Sequence, residues 1–334
     1  MKNKVCVILA AALLLFAGCG QRITDSTVPD ADGTAGSEKK LQIVTTIFPP
    51  YDFARQIAGE KAQITMLLKP GMESHSYEPT PADIIKIMNS DIFLYAGGES
   101  DVWVEELLEG NDGHTQSYAL LDWVDPLEEE TSEGMQVREH DHAHIQEEGD
   151  YAVHLEDTEY DEHVWTSPQN AMVIVEKLCR VMEEADPQNA SVYESNTEEY
   201  ERKLKELDEA FREVVDRAKR KTLVFGDRFP LLYFVKTYGL DFYAAFPGCS
   251  METEPSAATI AFLTDEVKAE KIPVVFRLEM SNGKIAQAIA EATGAKTAVF
   301  YSGHSITADD LAAGEDYLSL MYRNVETLKE ALWE

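Results

Sequence analysis

The stretch Lys69–Ile84, KPGMESHSYEPTPADI, joins a predicted buried strand to a predicted helix. The preceding segment Ala62–Leu68 is short and mainly apolar, as expected of a strand in the interior of a sheet. The helix begins at Pro81, because the threonine before it is a good N-terminal cap and proline suits a first helical position that needs no N–H. Gly71–Pro79 is therefore predicted to be a strand-to-helix loop, and it carries His75.

Short apolar runs alternate with helical patterns along the rest of the chain. Further strands are predicted at Leu41–Phe48, Asp91–Tyr95, Thr222–Phe225, Leu240–Ala245, Ile272–Arg277 and Lys296–Phe300. Such alternation indicates parallel sheets covered by helices. A long helix from Asp186 to about Lys219, roughly 45 Å at 1.5 Å per residue, separates the two series. The predicted fold class is α/β, with two Rossmann-like lobes of mainly parallel sheets joined by a long rigid helix and a ligand cleft between them.

The first residues have the features of an export signal. Lys2 and Lys4 precede an apolar stretch, Val5–Ala17, that is too short for a comfortable membrane span. Cys19 follows at the position where a lipoprotein signal peptidase would leave a thiol for lipid attachment, although a plain secretory signal or an uncleaved anchor is the alternative. The predicted parts are a signal peptide (1–18), the lipidated cysteine with a flexible tether (19–40), an N-terminal lobe (41–185), a connecting helix (186–220) and a C-terminal lobe (221–334).

The charge of the chain restricts its partners. Asp and Glu number 61 against 29 Lys and Arg, for a formal net charge of −32, which favours cationic ligands and argues against nucleic acid. Many of the acids lie between Asp125 and Glu162, a stretch that we interpret as a mobile surface loop. It also contains His140, His142, His144 and His154, which predicts an auxiliary metal loop; an insertion without a role is the alternative.

Three other histidines occupy loops between predicted strands and helices. His75 lies in the loop described above, His163 precedes a helix that starts at Ser167-Pro168, and His304 follows the strand that ends at Phe300. In α/β folds ligands collect at such loops, and neutral imidazole is a good ligand for Zn²⁺. Asp161 could accept the imidazole N–H of His163 that a metal leaves unused. A single histidine in a loop is more often a solvated side chain than a metal ligand. The prediction of a metal site therefore depends on these three histidines lying close together in the fold.

Two motifs resemble those of a known family. KPGMESHSYEPTPADI and DEHVWTSPQNA (161–171) are similar to the two metal motifs in the N-lobe of zinc and manganese solute-binding lipoproteins, the ZnuA/TroA-like family. VKTYGL (235–240) and YLSLMYRNVETLKEAL (317–332) fit its C-lobe pattern. The resemblance implies that His75 and His163 are metal ligands. It also implies a metal cleft between two lobes, and partnership with the membrane permease and cytoplasmic ATPase of an ABC importer.

The C-lobe departs from the family pattern at the ligand positions. VFGDRFPLLYF (224–234) places Arg228 where the family has a His or Glu ligand, and a guanidinium has no lone pair to donate. YSGHSIT (301–307) places His304 where the family has an acidic ligand. The fourth coordination position is then a water, ranked first, or one of four side chains: Asp227, Glu252, Glu254 or Cys249. Arg228 is expected near the site as a non-ligand, paired with one of those three acids.

These features predict an extracytoplasmic, lipid-anchored and monomeric receptor for Zn²⁺, with Mn²⁺ ranked second because it prefers more oxygen ligands. We expect no catalysis and no nucleic-acid partner. The sequence has neither a phosphate-binding G-x-x-x-x-G-K-[ST] loop nor an H-E-x-x-H helix. Two alternatives remain: a zinc-dependent hydrolase, which must turn over a substrate, and a metal-stabilised adhesin, which should unfold when metal is removed.

Overall fold

The computed structural model describes residues 40–72, 77–110, 113–136, 159–250 and 254–334. Within these ranges the strands form two four-stranded sheets in which every neighbouring pair is parallel. The first, ordered β2-β1-β3-β4, contains Leu41–Thr45 (β1), Ala62–Met66 (β2), Ile92–Tyr95 (β3) and Gln116–Ala119 (β4). The second, ordered β6-β5-β7-β8, contains Thr222–Phe229 (β5), Asp241–Pro247 (β6), Val274–Leu278 (β7) and Lys296–Phe300 (β8). The predicted pair of parallel-sheet lobes is confirmed.

The helices cover the faces of both sheets. In the N-lobe and between the lobes they are Phe48–Ala58 (α1), Pro81–Met88 (α2), Val102–Glu109 (α3), Pro168–Ala185 (α4) and Ala190–Asp216 (α5). In the C-lobe they are Leu232–Tyr238 (α6), Ala257–Ala269 (α7), Lys284–Thr293 (α8), Ala308–Ala313 (α9) and Tyr317–Trp333 (α10). Among the described residues, no helix combines the length and the apolar character needed to cross a lipid bilayer.

Helix α5 is the predicted connecting helix. Its 27 residues span about 40 Å, and it packs against α1, α4 and α10. Its largest buried side chains recur every three to seven residues and form one apolar stripe: Tyr193, Tyr200, Leu204, Leu207, Phe211 and Val214. They belong to a single apolar cluster that also contains side chains from both sheets. The two lobes therefore share a core instead of being joined by a loose linker.

Several strand boundaries differ from the sequence prediction, and the two largest differences are at the ends of β1 and β5. Leu41–Phe48 was predicted as one strand, but β1 ends at Thr45 and Phe48 begins α1, whose first turn contains a proline. Proline has no N–H for a sheet ladder and fits the first turn of a helix. The other strand, β5, continues to Phe229 because it pairs again with β6 after an irregularity, with Arg228 opposite Phe246. Arg228 thus lies in a strand and not in the loop that follows it.

The interpretation of Asp125–Glu162 as a mobile surface loop is wrong for both of its ends. The backbone N–H of Leu127 donates to the Tyr233 hydroxyl at 3.0 Å, and that of Gln136 donates to the Ala245 carbonyl at 3.0 Å. At the other end Asp161 and Glu162 are buried. C-lobe groups satisfy the backbone here, so an acidic composition did not prevent packing. The four histidines of this stretch lie outside the described residues.

Candidate metal centre

The N-lobe part of the site precedes helix α4. His163 is fully buried, and a short 3₁₀ turn, Val164–Thr166, connects it to α4. The Thr166 hydroxyl donates to the His163 carbonyl at 2.8 Å, and the Ser167 hydroxyl caps α4 by accepting from a backbone N–H of its first turn. These local hydrogen bonds hold the backbone of His163 in place before the helix begins.

Asp161 orients the His163 ring. Its Oδ1 accepts from the His163 backbone N–H at 2.7 Å and lies 3.0 Å from Nδ1 of the imidazole. An ionised carboxylate can only accept, so Nδ1 carries hydrogen, and in the neutral ring Nε2 keeps the lone pair that a metal needs. Burial opposes protonation of the ring, but the charge and hydrogen bond of Asp161, together with the charges of Glu162 and Glu129, outweigh burial and raise the pKa of His163. The hydrogen bond expected from the sequence is present.

The C-lobe contributes His304 from the loop after β8. Gly303, at φ 70°, gives the loop a left-handed residue immediately before His304, a conformation that favours glycine. The His304 side chain is buried, and its ring centroid lies 5.0 Å from that of His163 with the planes at 80°. The Trp165 ring packs against both imidazoles, at 5.0 Å from His304 and 5.6 Å from His163. Two of the three predicted histidines are therefore neighbours.

Glu162, which the sequence analysis did not single out, completes this group. One ligand atom from each of Glu162, His163 and His304 lies within 4.8 Å of the others, and all three residues are buried. Two imidazole nitrogens and a carboxylate oxygen form a donor set that suits a divalent ion, zinc in particular. The available signal was the position of Glu162 directly before His163, but its acidic neighbours led to its assignment to a surface loop.

Ser100, in the short turn that follows β3, holds the Glu162 carboxylate in place. The Ser100 hydroxyl donates to Oε1 at 2.5 Å and the Ser100 N–H donates to Oε2 at 3.0 Å. Gly98, at φ 86°, lies so close that an added Cβ would be 2.9 Å from that of Glu162. Burial raises the pKa of Glu162 despite these hydrogen bonds. A bound cation would compensate the buried charge.

The other candidate ligands are not part of this group. Asp227 accepts from the backbone N–H groups of Arg228 (2.9 Å) and Leu278 (3.1 Å), so both of its oxygens hold backbone between β5 and β7. Glu254 is exposed. Burial raises the pKa of Cys249 well above that of an ordinary thiol, which disfavours the thiolate. His75, Glu252 and Cys19 lie outside the described residues.

Arg228 lies close to His304. It lines a cavity of about 30 Å³ together with His304, Gly248 and Glu279. Its Nη1 donates to the carbonyl of Ser250 at 3.3 Å. The predicted pairing of this guanidinium with Asp227, Glu252 or Glu254 stays a prediction, because the hydrogen bond to Asp227 comes from the Arg228 backbone N–H.

The buried carboxyl group of Asp101 should make the folding stability of the protein depend on pH. Burial, with the charge of Glu162, raises the pKa of Asp101 to about 7. A carboxyl group whose pKa is higher in the folded than in the unfolded protein stabilises the folded state at low pH. This contribution is complete below the pKa of the unfolded chain and is lost as the pH rises through the pKa of the folded protein. We therefore expect Asp101→Asn to gain stability relative to wild type by on the order of 2–4 kcal/mol between pH 4 and pH 8 in metal-free protein.

Urea unfolding of the two metal-free proteins at several pH values measures that difference. Asparagine keeps a carbonyl oxygen for the Gly97 N–H, which donates to Asp101 at 3.1 Å, so the packing is retained. The exposed Asp125→Asn controls for the loss of one negative charge. A difference between Asp101→Asn and wild type that stays constant over this pH range would contradict the assignment.

Comparison with known proteins places the chain in a family. A model of the ZnuA family, described as zinc-uptake complex component A, periplasmic, matches residues 43–331. The chain is 34% identical over 330 residues to the zinc-binding lipoprotein AdcA of Streptococcus pneumoniae, covering 98% of this chain and 61% of AdcA. It is 32% identical over 333 residues to the high-affinity zinc uptake system protein ZnuA of Bacillus subtilis, covering 97% of this chain and 96% of that protein.

Solved structures agree with the sequence relatives. The Zn(II)-bound ZnuA-like domain of Streptococcus pneumoniae AdcA superposes with a TM-score of 0.71 at 32% identity, covering 89% of this chain and 100% of that domain. The metal-dependent lipoprotein YcdH of Bacillus subtilis gives a TM-score of 0.72 at 29% identity over 88% of this chain. The matched span includes both sheets and the segments that carry Glu162, His163 and His304. Because the family model covers most of the chain and the Bacillus subtilis relative is matched over nearly its whole length, this chain belongs to the ZnuA family.

Proposed function

We propose that this chain is an extracytoplasmic receptor that binds Zn²⁺ and delivers it to the permease of an ABC importer, with a cytoplasmic ATPase supplying the energy. The observation that carries the proposal is the approach of Glu162, His163 and His304 to within 4.8 Å across the two lobes. The relatives named as zinc-binding or zinc-uptake proteins support zinc as the cargo. The chain spans only 61% of the length of AdcA, and the proposal therefore covers zinc binding and delivery and not every activity of AdcA.

His75 is the proposed third imidazole ligand. The Gly71 N–H donates to the carbonyl of Ile306 at 2.8 Å, which ties one flank of residues 73–76 to the His304 loop. On the other flank Tyr77 lines a cavity of about 10 Å³ together with His304. One flank is bonded to the loop that carries His304 and the other lines a cavity with His304, which supports His75 as a ligand. Glu162 then takes the fourth position, for which the sequence analysis ranked water first.

The donor set favours zinc over manganese. Three imidazoles and one carboxylate suit four-coordinate Zn²⁺, whereas Mn²⁺ prefers more oxygen donors and usually more ligands. Asp161 engages Nδ1 of the His163 ring, which makes Nε2 the atom that would coordinate the ion. The family is one of binding components of zinc-uptake systems, and we propose ion capture and release without catalysis. Lipid attachment at Cys19 would keep the receptor at the membrane.

Competition and uptake test this function together. Native mass spectrometry with Zn²⁺ and Mn²⁺ at equal concentrations should show one tightly bound zinc ion per chain. In cells that lack this protein, uptake of radioactive zinc at low zinc concentration should be restored by the wild type and not by His163→Ala. Preferential binding of Mn²⁺ would overturn the choice of metal. Zinc uptake that does not depend on this protein would overturn the receptor role.

A further inference from the structure

The loop that carries His304 has little regular structure of its own. Residues 301–307 separate β8 from α9 without forming a helix or a strand, and Ser302, His304 and Ser305 are nevertheless buried. A ligand on such a loop is useful only if other groups fix the backbone, because a misplacement of an ångström weakens coordination. What holds the segment Ser302–His304 therefore matters for the zinc site proposed above.

Glu279 holds this segment from within the C-lobe. It directly follows β7, its side chain is partly buried, and it is not a member of the ligand group. Its Oε2 accepts from the Ser302 N–H at 2.9 Å, and its Oε1 accepts from the Ser302 hydroxyl at 2.8 Å and the Gly303 N–H at 3.1 Å. Three donors from two consecutive residues thus converge on one carboxylate.

The same hydroxyl connects Glu279 to His304. The His304 backbone N–H donates to Ser302 Oγ at 3.2 Å, while the Ser302 hydroxyl donates to Glu279. A hydroxyl has one hydrogen to give and lone pairs to accept, so both bonds can be made at once. The chain of contacts runs from the Glu279 carboxylate through Ser302 to the backbone of His304.

Trp165 holds the same segment from the N-lobe. Its Nε1–H donates to the Ser302 carbonyl at 3.0 Å, and its ring packs against His163 and His304. The Trp165 carbonyl in turn accepts from the Tyr317 hydroxyl at 2.7 Å. The Ser302 backbone is therefore held on its N–H side by Glu279 and on its carbonyl side by a residue next to the other histidine.

We propose that Glu279 is a positioning residue for zinc binding: it fixes the segment Ser302–His304 so that the His304 imidazole meets the ion together with His163. Glu279 acts through His304 and does not coordinate the metal. Loss of a group that orients a ligand typically lowers metal affinity about 10- to 100-fold. The inference rests on the proposed zinc function and names a residue of that site that the ligand set does not include.

Glu279→Gln tests the proposal with the shape of the side chain retained. Its amide nitrogen would face donors where the carboxylate accepts, so one or more of the three hydrogen bonds must be lost. We expect zinc affinity, measured by competition with a chelating dye, to fall about 10- to 100-fold with one ion still bound per chain. The exposed Glu270→Gln is the matched control and should bind zinc as the wild type does.

A double-mutant cycle separates positioning from other roles. If Glu279 acts through His304, then Glu279→Gln should lower zinc affinity no further in a His304→Ala background. An additive loss would overturn the proposal, since a direct ligand or a general structural residue would produce it. Ser302→Ala, which removes the connecting hydroxyl, provides a second variant if Glu279→Gln does not fold, and unchanged affinity in it would count against the chain of contacts. Failure of the wild type to bind zinc would instead refute the proposed function.

Discussion

Replacing His304 by alanine should lower the affinity for Zn²⁺ by more than about 100-fold, because loss of a ligand should exceed the loss caused by its supporting groups. His304 lies in the C-lobe and is the donor through which that lobe reaches the group of Glu162 and His163. Without it, the described part of the site retains donors from the N-lobe alone. Isothermal titration or chelator competition on purified protein measures the change.

Two further variants serve as comparisons for His304→Ala. His163→Ala should cause a loss of similar size, since the two imidazoles are neighbours in one site. His114→Ala, which changes the same residue type at an exposed position after α3, should leave affinity unchanged. If His304→Ala binds zinc as tightly as the wild type, the ion is not shared between the lobes and the proposed site is wrong.

Asp52→Ala should lower the free energy of unfolding of the metal-free protein by about 3 kcal/mol. Asp52 lies on α1 and is fully buried, and its Oδ2 accepts at 3.0 Å from the N–H of Tyr317, the first residue of α10. Its Oδ1 accepts from the Arg55 guanidinium. Alanine would leave a buried N–H at a helix N-terminus, and a positive charge, without their acceptor.

Urea unfolding compares this variant with two others. Asp52→Asn keeps one acceptor for the Tyr317 N–H, and burial already raises the pKa of Asp52, so this variant should lose about 1 kcal/mol or less. The exposed Asp265→Ala should change stability by no more than about 0.5 kcal/mol. A loss below about 1 kcal/mol for Asp52→Ala would show that this contact between α1 and α10 contributes little to holding the lobes together.

The elements that could be predicted from the sequence are those whose capping residues and apolar patterns match the structure that forms around them. Strand β8 matches its predicted bounds, and α2 begins at Pro81 with Thr80 and Asp83 forming a reciprocal cap. Helix α8 ends at Thr293 and is capped by Gly294 in the left-handed conformation, as the position of this glycine after an apolar periodic segment indicated. In these cases one residue type has a specific physical reason to occupy one position.

The site was predicted less completely because it depends on contacts distant in sequence. Glu162 lies at the end of an acidic stretch, and only its contacts with Ser100 and Gly98, some sixty residues earlier in the chain, distinguish it from a solvated acid. Asp227 has the right chemistry for a ligand but is engaged by backbone N–H groups of β5 and β7. Sequence spacing alone reveals neither relationship.

The proposed receptor function requires side chains from both lobes to share one zinc ion. Anomalous X-ray diffraction at the zinc edge, on crystals of the zinc-loaded protein, tests it most directly. We expect one strong peak at about 2.0–2.1 Å from Nε2 of both His163 and His304, with a Glu162 oxygen also coordinating. A zinc peak beside only one of these histidines, or found only elsewhere on the protein, would show that the lobes do not share the ion.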